Sequence, residues 1–181
     1  MANCDFDLVV IGGGPAGEKG AAQAAYFGIK TALVEKEPEL GGACINTGTL
    51  ASKTLRETSL FLSGAKARQL GYAIETNVKK DITLSDFMFR KNYVQHREWE
   101  RARLNLERHR ITRVIGAASF VDANTIEVTK KSGAKETITG KIFLIATGST
   151  PARPKEIPFN SENVFDSDTV LQMKSLAGVA A

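Results

Sequence analysis

A glycine-rich turn between an apolar run and an alanine-rich run constrains the fold of this chain more than any other feature. Residues 6–11 read FDLVVI, a nearly continuous apolar run that is typical of a central parallel strand buried on both faces. The glycines that follow in G-x-G-x-x-G spacing are Gly12, Gly14 and Gly17. Alanines favour a helix after this turn, with Gly28 as its stop, and KTALVE at 30–35 predicts a second strand. The sequence therefore predicts a βαβ unit with a right-handed crossover.

If this turn binds a dinucleotide, each of the three positions requires glycine for a different physical reason. Gly12 permits the tight turn, Gly14 lets the backbone approach a pyrophosphate, and Gly17 lets helix and strand pack closely. The helix N-terminus then presents free N–H groups and a favourable dipole to the phosphates. Glu35 ends the second strand, where a carboxylate accepts hydrogen bonds from a ribose. The turn could instead bind no ligand, and Glu35 could be an ordinary surface residue. The turn alone does not distinguish an NAD site from an FAD site.

The middle of the chain predicts helices. Residues 43–62 predict a helix that Gly48 interrupts, whereas residues 64–83 are polar and irregular. From Leu84 to His109, apolar residues recur at helical steps, which predicts a long amphipathic helix.

The last third of the chain predicts strands. Residues 111–149 contain short β-branched runs separated by DAN and KKSGAK turns, which predict a strand, an antiparallel meander and a final buried strand, KIFLIAT at 141–147. The predicted fold class is α/β: a Rossmann-like domain with a parallel sheet, a long helical excursion and a small antiparallel β-meander between the penultimate and last strands. Residues 1–150 are predicted to form the dinucleotide-binding domain, and the proline-rich residues 151–181 an exit linker.

Composition excludes several classes of function. The net charge is only +4, and the stretch HREWERARLNLERHR alternates arginine with glutamate, so we interpret it as a solvated helix face and predict no nucleic-acid partner. No run reaches the roughly eighteen apolar residues of a membrane span, so no membrane association is predicted. Two cysteines in a domain of this size do not suggest a disulfide framework, so we predict a reducing, cytoplasmic setting. Cys4 and Cys44 should lie beyond opposite ends of a strand about 20 Å long, so we predict no bond between them. His96 and His109 lack companions at metal-ligand spacing, and no metal site is predicted.

Three motifs together resemble the pyridine nucleotide–disulfide oxidoreductases. They are VVIGGGPAG at 9–17, GGACINTGTLASK at 41–53 and LIATGSTPARP at 144–154. In that family the first and third motifs build an FAD site, and the second lies beside the isoalloxazine ring. The IGAASFVD stretch at 115–122 is similar to a family segment whose backbone meets the adenine. The resemblance covers nearly the whole chain and implies an FAD-dependent oxidoreductase with its FAD-binding domain at 1–150.

The second motif departs from the family pattern at one of its two cysteines. Disulfide reductases of the family have C-x-x-x-x-C followed by Pro-Ser-Lys, whereas here Thr49 stands five residues after Cys44, and Ala51 replaces the proline. A threonine hydroxyl forms no disulfide, so residue identity excludes dithiol chemistry at this helix unless another cysteine comes from outside this chain. The run CINTGTLASKTLRE resembles the soluble, flavin-dependent pyridine nucleotide transhydrogenases of the family. That resemblance implies hydride transfer from one nicotinamide to flavin, and from flavin to another.

The resemblance also implies a role for each matching residue. The predicted cofactor contacts are Gly12, Gly14, Pro15, Ala16, Gly17, Glu35, Lys36, Gly42, Ala43, Cys44, Thr49, Lys53, Gly116, Ala117, Ala146, Thr147 and Gly148. The predicted catalytic residues on the flavin side are Cys44, Thr49 and Lys53. Of these, Thr49 would hydrogen-bond the ring and Lys53 would stabilise reduced, anionic flavin. The alternatives are an exposed helical Lys53, a packed Cys44 thiol and an ordinary strand-end turn at 147–148.

The resembling enzymes are more than twice as long and continue with a second βαβ fold for NAD(P) and an interface domain. The sequence has no second G-x-G-x-x-G, so residues 151–181 are expected to lead toward an absent NAD(P)-binding domain. NAD(P) is then a substrate of the complete enzyme only, and this chain alone is expected to be inactive. A homodimer is expected at full length. Two other functions stay open: a dithiol-lacking flavin reductase of the diaphorase type, and a non-catalytic FAD- or NAD-binding module.

Overall fold

The computed structural model describes residues 4–69, 71 and 82–173. The helices are α1 (Pro15–Tyr26), α2 (Gly42–Asn46), α3 (Thr49–Leu62), α4 (Ala65–Gln69) and α5 (Leu84–Arg108). The strands are β1 (Phe6–Ile11), β2 (Thr31–Glu35), β3 (Thr112–Ile115), β4 (Ala117–Asp122), β5 (Thr125–Thr129) and β6 (Lys135–Ile145). None of the helices within the described ranges is both long and apolar enough to cross a bilayer.

The described residues form two compact units. The first comprises those of Met1–Cys44 and Glu98–Ser149, and the second those of Ile45–Arg97 and Thr150–Ala181. The boundary predicted at residue 150 between a nucleotide-binding domain and an exit linker stays a prediction.

The first unit is built on a mixed sheet with the strand order β3-β2-β1-β6-β5-β4. β1 pairs in parallel with both β2 and β6, and β2 pairs in parallel with β3. α1 connects β1 to β2, so the predicted βαβ unit is present. β4 and β5 form the predicted antiparallel meander together with the start of β6. The α/β fold class predicted from the sequence is therefore confirmed.

Each face of this sheet carries its own hydrophobic core. On one face, Val10 and Leu33 pack with Ala21 of α1 and Leu106 of α5, and none of the four is more than 2% exposed. The core of the other face comprises Val9, Ala32, Val34, Ile126, Val128 and Ile138. Successive residues of a strand point to opposite faces, so β1 supplies both cores, which explains its nearly continuous apolar run.

β6 is one continuous strand where the sequence analysis predicted two elements. Its residues 135–139 pair antiparallel with β5, and residues 140–145 pair in parallel with β1. The prediction that the end of this strand is buried is wrong, because Ile142 and Ile145 are each 65% exposed. Beyond Thr139 the strand has β1 along one edge, and no strand of the described chain lies along its other edge. Its side chains therefore lack the neighbours that bury those of β1.

The second unit contains α3, α4 and the first part of α5. The predicted interruption at Gly48 is present, since α2 ends at Asn46 and α3 begins at Thr49. The Gln95 side chain of α5 lies 3.4 Å from the carbonyl oxygens of Ile45 and Asn46, which places it against the chain just before α3. α4 lies inside the stretch 64–83 that was predicted to be irregular, and residues 70 and 72–81 of that stretch lie outside the described residues.

The segment after Thr150 is held by side-chain hydrogen bonds. Its only regular element among the described residues is a 3₁₀ turn at Thr169–Gln172. The Asp166 carboxylate accepts hydrogen bonds from the Thr169 backbone N–H at 2.8 Å and from Arg153 Nε at 2.6 Å. The pKa of Asp166 lies well below its usual range. The hydrogen bond from the Thr169 amide lowers it most, and the bond from the Arg153 guanidinium lowers it second most.

Asp166→Asn is expected to destabilise the protein in a pH-dependent way. The folded-state pKa of Asp166 lies below the unfolded value, so its charge stabilises the fold above about pH 4, and this contribution is lost as pH falls toward the folded pKa. The destabilisation should therefore be largest near pH 7 and shrink progressively between about pH 5 and pH 2, as measured by urea unfolding. Asp168→Asn is the matched control two residues away. An equal destabilisation by Asp166→Asn at every pH would contradict this account.

Candidate functional site

Three loops of the first unit meet at the carboxyl ends of parallel strands β1, β2 and β6. The Gly12 N–H donates to the Val34 carbonyl at 2.8 Å, which ties the turn after β1 to the end of β2. The Ala146 N–H donates to the Ile11 carbonyl at 2.8 Å, so the segment after β6 also follows β1 closely. This edge of an open α/β sheet is where such folds bind their ligands.

Gly12 and Gly17 have no room for a side chain. Gly12 has φ of +108°, and a Cβ there would overlap the Ala146 carbonyl oxygen and lie 2.7 Å from its carbonyl carbon. A Cβ on Gly17 would overlap the Gly12 carbonyl oxygen and lie 3.2 Å from Cγ1 of Val10. The first turn of α1 therefore rests directly on the backbone of the β1–α1 turn, as close helix–strand packing requires.

Gly14 and Gly42 face each other across the site. A Cβ on Gly42, where φ is +52°, would lie 2.9 Å from the Gly14 Cα, so this loop approaches the turn backbone to backbone. A Cβ on Gly14 would meet nothing closer than the Gly42 Cα at 3.7 Å, which is an ordinary contact. The protein therefore leaves space beside Gly14, where the phosphate of a ligand could approach the backbone.

α1 begins without a side-chain cap. Gly14 is its N-cap and makes no side-chain hydrogen bond, and Pro15 occupies the first turn. The first N–H groups of a helix have no partner inside the helix, so those of Ala16 and Gly17 remain to bind an anion. Pro15 and Ala16 are exposed, so this end of the helix is accessible.

Glu35 is buried and fixed by two backbone donors. Its Oε2 accepts from the Gly13 N–H at 2.6 Å, and its Oε1 accepts from the Glu37 N–H at 2.9 Å. The residue is only 8% exposed. Each carboxylate oxygen has two acceptor sites, so one site on each oxygen remains for further donors such as ribose hydroxyls. The neighbouring Lys36 is exposed.

Two further predicted segments lie near the same strand ends. The Gly116 N–H donates to the Glu35 carbonyl at 2.9 Å, and a Cβ on Gly116 would lie 2.5 Å from Cγ1 of Val128. Ala117 follows as an exposed residue at the start of β4. After β6, Ala146 contacts the Gly12 turn, whereas Thr147 and Gly148 are exposed, and Gly148 has φ of +71° with open space around it.

The predicted flavin-side residues divide between the two units. Ala43 and the half-buried Cys44 lie on α2 in the first unit, and Cys4 and Cys44 are both free thiols. Thr49 and Lys53 lie one turn apart on α3 in the second unit, and both are exposed. Lys53 also lines a cavity of about 710 Å³ between α3 and α5. The residues predicted around the phosphates and ribose thus lie together within the first unit. Thr49 and Lys53 belong to the second unit.

Several residues of this region were not singled out by the sequence analysis. Gly13 supplies the amide that holds Glu35, and the Gly41 N–H donates to the Gly13 carbonyl at 2.7 Å. The runs GGG at 12–14 and GG at 41–42 are the signals that could have drawn attention to them. Glu18, which is 2% exposed, is bound by Asn105 of α5, and no local pattern predicts that pair.

Fold and site together define a Rossmann-like α/β protein. Its glycine cradle, formed by Gly12, Gly14, Gly17 and Gly42, lies at the carboxyl ends of its parallel strands. The family model described as pyridine nucleotide-disulphide oxidoreductase matches residues 6–177. The chain belongs to the pyridine nucleotide-disulphide oxidoreductase family.

Its relatives include enzymes of considerably greater length. The soluble pyridine nucleotide transhydrogenase of Mycobacterium tuberculosis is 43% identical over 173 residues, which cover 95% of this chain and 37% of the relative. The protein of the same name from Aliivibrio fischeri is 37% identical over 169 residues, covering 93% of this chain and 36% of the relative. Among solved structures, the HOCl-induced flavoprotein disulfide reductase RclA from Escherichia coli matches with a TM-score of 0.72 and 27% identity, over 94% of this chain and 35% of that protein. The chain spans little more than a third of the length of these proteins.

Proposed function

We propose that this chain is the FAD-binding part of a flavin-dependent NAD(P) oxidoreductase. The observation that carries the proposal is the cradle formed by Gly12, Gly14, Gly17 and Gly42 beside the buried, hydrogen-bonded carboxylate of Glu35. A dinucleotide needs this combination of close backbone approach, free helix N–H groups and a fixed ribose acceptor. Two findings support FAD as this dinucleotide, with flavin as the half that reacts. The chain belongs to the pyridine nucleotide-disulphide oxidoreductase family, and it resembles the structure of a flavoprotein.

The chain's own residues would bind FAD in two parts. The amides of Ala16 and Gly17 would bind the diphosphate, and the free acceptor sites of Glu35 would bind the adenosine ribose. In the proposal Pro15, Lys36, Gly116 and Ala117 complete the adenosine half. The residues proposed for the diphosphate, ribityl and flavin part are Gly42, Ala43, Cys44, Thr49, Lys53, Ala146, Thr147 and Gly148.

The proposed reaction is transhydrogenation between NADPH and NAD without a thiol relay. Bound FAD supplies a ring that accepts a hydride from one nicotinamide and passes it to another. Thr49 cannot pair with Cys44 in a disulfide. The chain's own residues would therefore contribute only binding and electrostatic stabilisation to the reaction. Lys53 would supply positive charge near the ring, and Thr49 a hydroxyl. The transhydrogenases similar to this chain support this choice over a disulfide reductase. In this proposal the intact protein is a cytoplasmic homodimer.

The purified chain is expected to carry flavin. Its visible absorption spectrum should show the two bands of oxidised flavin, and mass spectrometry of the released cofactor should identify FAD. A colourless chain that also fails to bind added FAD, while its circular dichroism shows the folded α/β domain, would contradict the proposed FAD site.

A chimaera tests the reaction itself. This chain would replace the corresponding first part of the Mycobacterium tuberculosis relative, to which it is 43% identical. The chimaera should transfer reducing equivalents from NADPH to a thio-NAD acceptor, and a Cys44→Ser version should retain that turnover, because no dithiol takes part. Turnover with quinones but not with thio-NAD would favour the diaphorase-type alternative. A Cys44→Ser chimaera that keeps FAD but loses all turnover would contradict the thiol-free reaction.

A further inference from the structure

A buried carboxylate that the proposed cofactor contacts do not use lies in the first turn of α1. Glu18 is 2% exposed, although a carboxylate of this kind is almost never fully buried unless it is paired. Its Oε1 accepts from Asn105 Nδ2 at 2.9 Å and lies 3.1 Å from Lys19 Nζ. Asn105 is half-buried on α5, whereas Lys19 is exposed. This buried carboxylate therefore connects α1 to the end of α5 within the first unit.

Glu18 is also the residue whose backbone completes the first turn of α1. Its N–H donates to the Gly14 carbonyl at 2.9 Å, across the turn that contains the free amides of Ala16 and Gly17. On one side this turn is fixed by the contact of Gly17 with the Gly12 backbone. On the other side it is fixed by the bond between Glu18 and Asn105.

Two cationic side chains interact with this carboxylate. Lys19 is its salt-bridge partner. Arg101, one turn before Asn105 on α5, has its pKa raised chiefly by its hydrogen bond with Glu98, and in smaller part by the charge of Glu18. A buried carboxylate with a cationic partner and a hydrogen bond can hold a helix turn in one position. Without such partners, its burial would cost free energy.

We propose that Glu18 is a positioning residue for the cofactor's diphosphate: by anchoring the first turn of α1 to Asn105 of α5, it holds the amides of Ala16 and Gly17 where phosphate binds. This inference rests on the proposed FAD function and extends it to a residue that does not touch the cofactor. Binding groups must be held to within about 0.5 Å by supporting hydrogen bonds, and Glu18–Asn105 is such a support.

The test compares FAD dissociation constants of the 181-residue chain and its variants, measured by quenching of flavin fluorescence on folded protein. Glu18→Leu keeps the volume but removes the acceptor, and it should weaken FAD binding by about tenfold or more. Glu18→Gln keeps an acceptor oxygen for Asn105 and should restore binding close to that of the unaltered chain. Glu107→Leu, which replaces an exposed glutamate of α5, is the matched control and should bind FAD normally.

A double-mutant cycle and thermal melting separate positioning from stability. Asn105→Leu should weaken FAD binding in the same direction, and Glu18→Leu with Asn105→Leu should be little worse than either alone, because both remove one interaction. Should Glu18→Leu fail to fold, Asn105→Leu and Glu18→Gln carry the test. A lower melting temperature with unchanged FAD affinity would overturn the proposal, as would a Glu18→Gln variant no better than Glu18→Leu. An unaltered chain that does not bind FAD would instead refute the proposed function, and the positioning role with it.

Discussion

Gly17→Ala is expected to abolish FAD binding and to lower the free energy of unfolding by about 3 kcal/mol. The added methyl group would overlap the carbonyl oxygen of Gly12, which is backbone and cannot rotate away. α1 must then move off β1, and this motion displaces the helix N-terminus from the strand ends. The expected result is a folded but colourless chain, measured by flavin absorbance and by urea unfolding.

Gly20→Ala is the matched control for this prediction. It adds the same methyl group to the same helix, but among the described residues the new Cβ would come close only to Cδ2 of Leu144, the far end of the side chain of a residue that is 37% exposed. That side chain can shift, and alanine gains up to about 1 kcal/mol over glycine in a helix interior. Gly20→Ala should therefore keep FAD. Retention of FAD by Gly17→Ala at the level of this control would contradict the assignment of the turn as the diphosphate site.

Glu35→Ala is expected to weaken FAD binding by at least about tenfold and to destabilise the protein by about 1–3 kcal/mol. The variant removes the acceptor of the buried Gly13 N–H, which then lacks a partner, and it also removes the proposed ribose acceptor. Isothermal titration with FAD and chemical unfolding would measure the two effects separately.

Glu37→Ala serves as the control for Glu35. Glu37 also carries a carboxylate on the loop after β2, but its side chain is 56% exposed and forms an ion pair with Lys131 at 3.5 Å. Surface ion pairs of this kind contribute about 0–1 kcal/mol, so this variant should bind FAD and unfold almost normally. If Glu35→Ala destabilised the chain without reducing its FAD affinity, Glu35 would be a structural brace for Gly13 and not a ribose ligand.

The elements that could be predicted from the sequence are those specified by local patterns. The apolar run of β1, the glycine spacing and the alanines of α1 predicted the βαβ unit because each reflects the geometry of its own segment. Gly48 likewise marked the break between α2 and α3. The continuity of β6 was missed because its two halves have different partners, and a strand pattern does not reveal which neighbour each half will pair with.

The parts of the candidate site that depend on distant residues could not be predicted. The hydrogen bond between Gly13 and Glu35 joins residues 22 positions apart, and that between Glu18 and Asn105 joins residues 87 positions apart. In the sequence, Glu18 is simply an acidic residue in the first turn of a helix, where such residues are common. Only the packing of α5 beside α1 reveals that this carboxylate is buried.

The two-partner pairing of β6 has a consequence for how such chains can change in length during evolution. At Gly140, where a Cβ would lie 2.8 Å from Cγ2 of Val9, the strand passes from its antiparallel partner to its parallel one. A single deletion between residues 135 and 145 would exchange the two faces of the strand residues that follow it, or draw Ala146 away from the Gly12 turn. The turn at 130–134 lies beyond the paired residues of both strands, and it is closed by the Lys130 N–H, which donates to the Ala134 carbonyl at 2.8 Å. A change in length there leaves residues 135–145 uninterrupted. Insertions and deletions should therefore accumulate in that turn, while the distance along the chain from Lys135 to Ala146 stays constant.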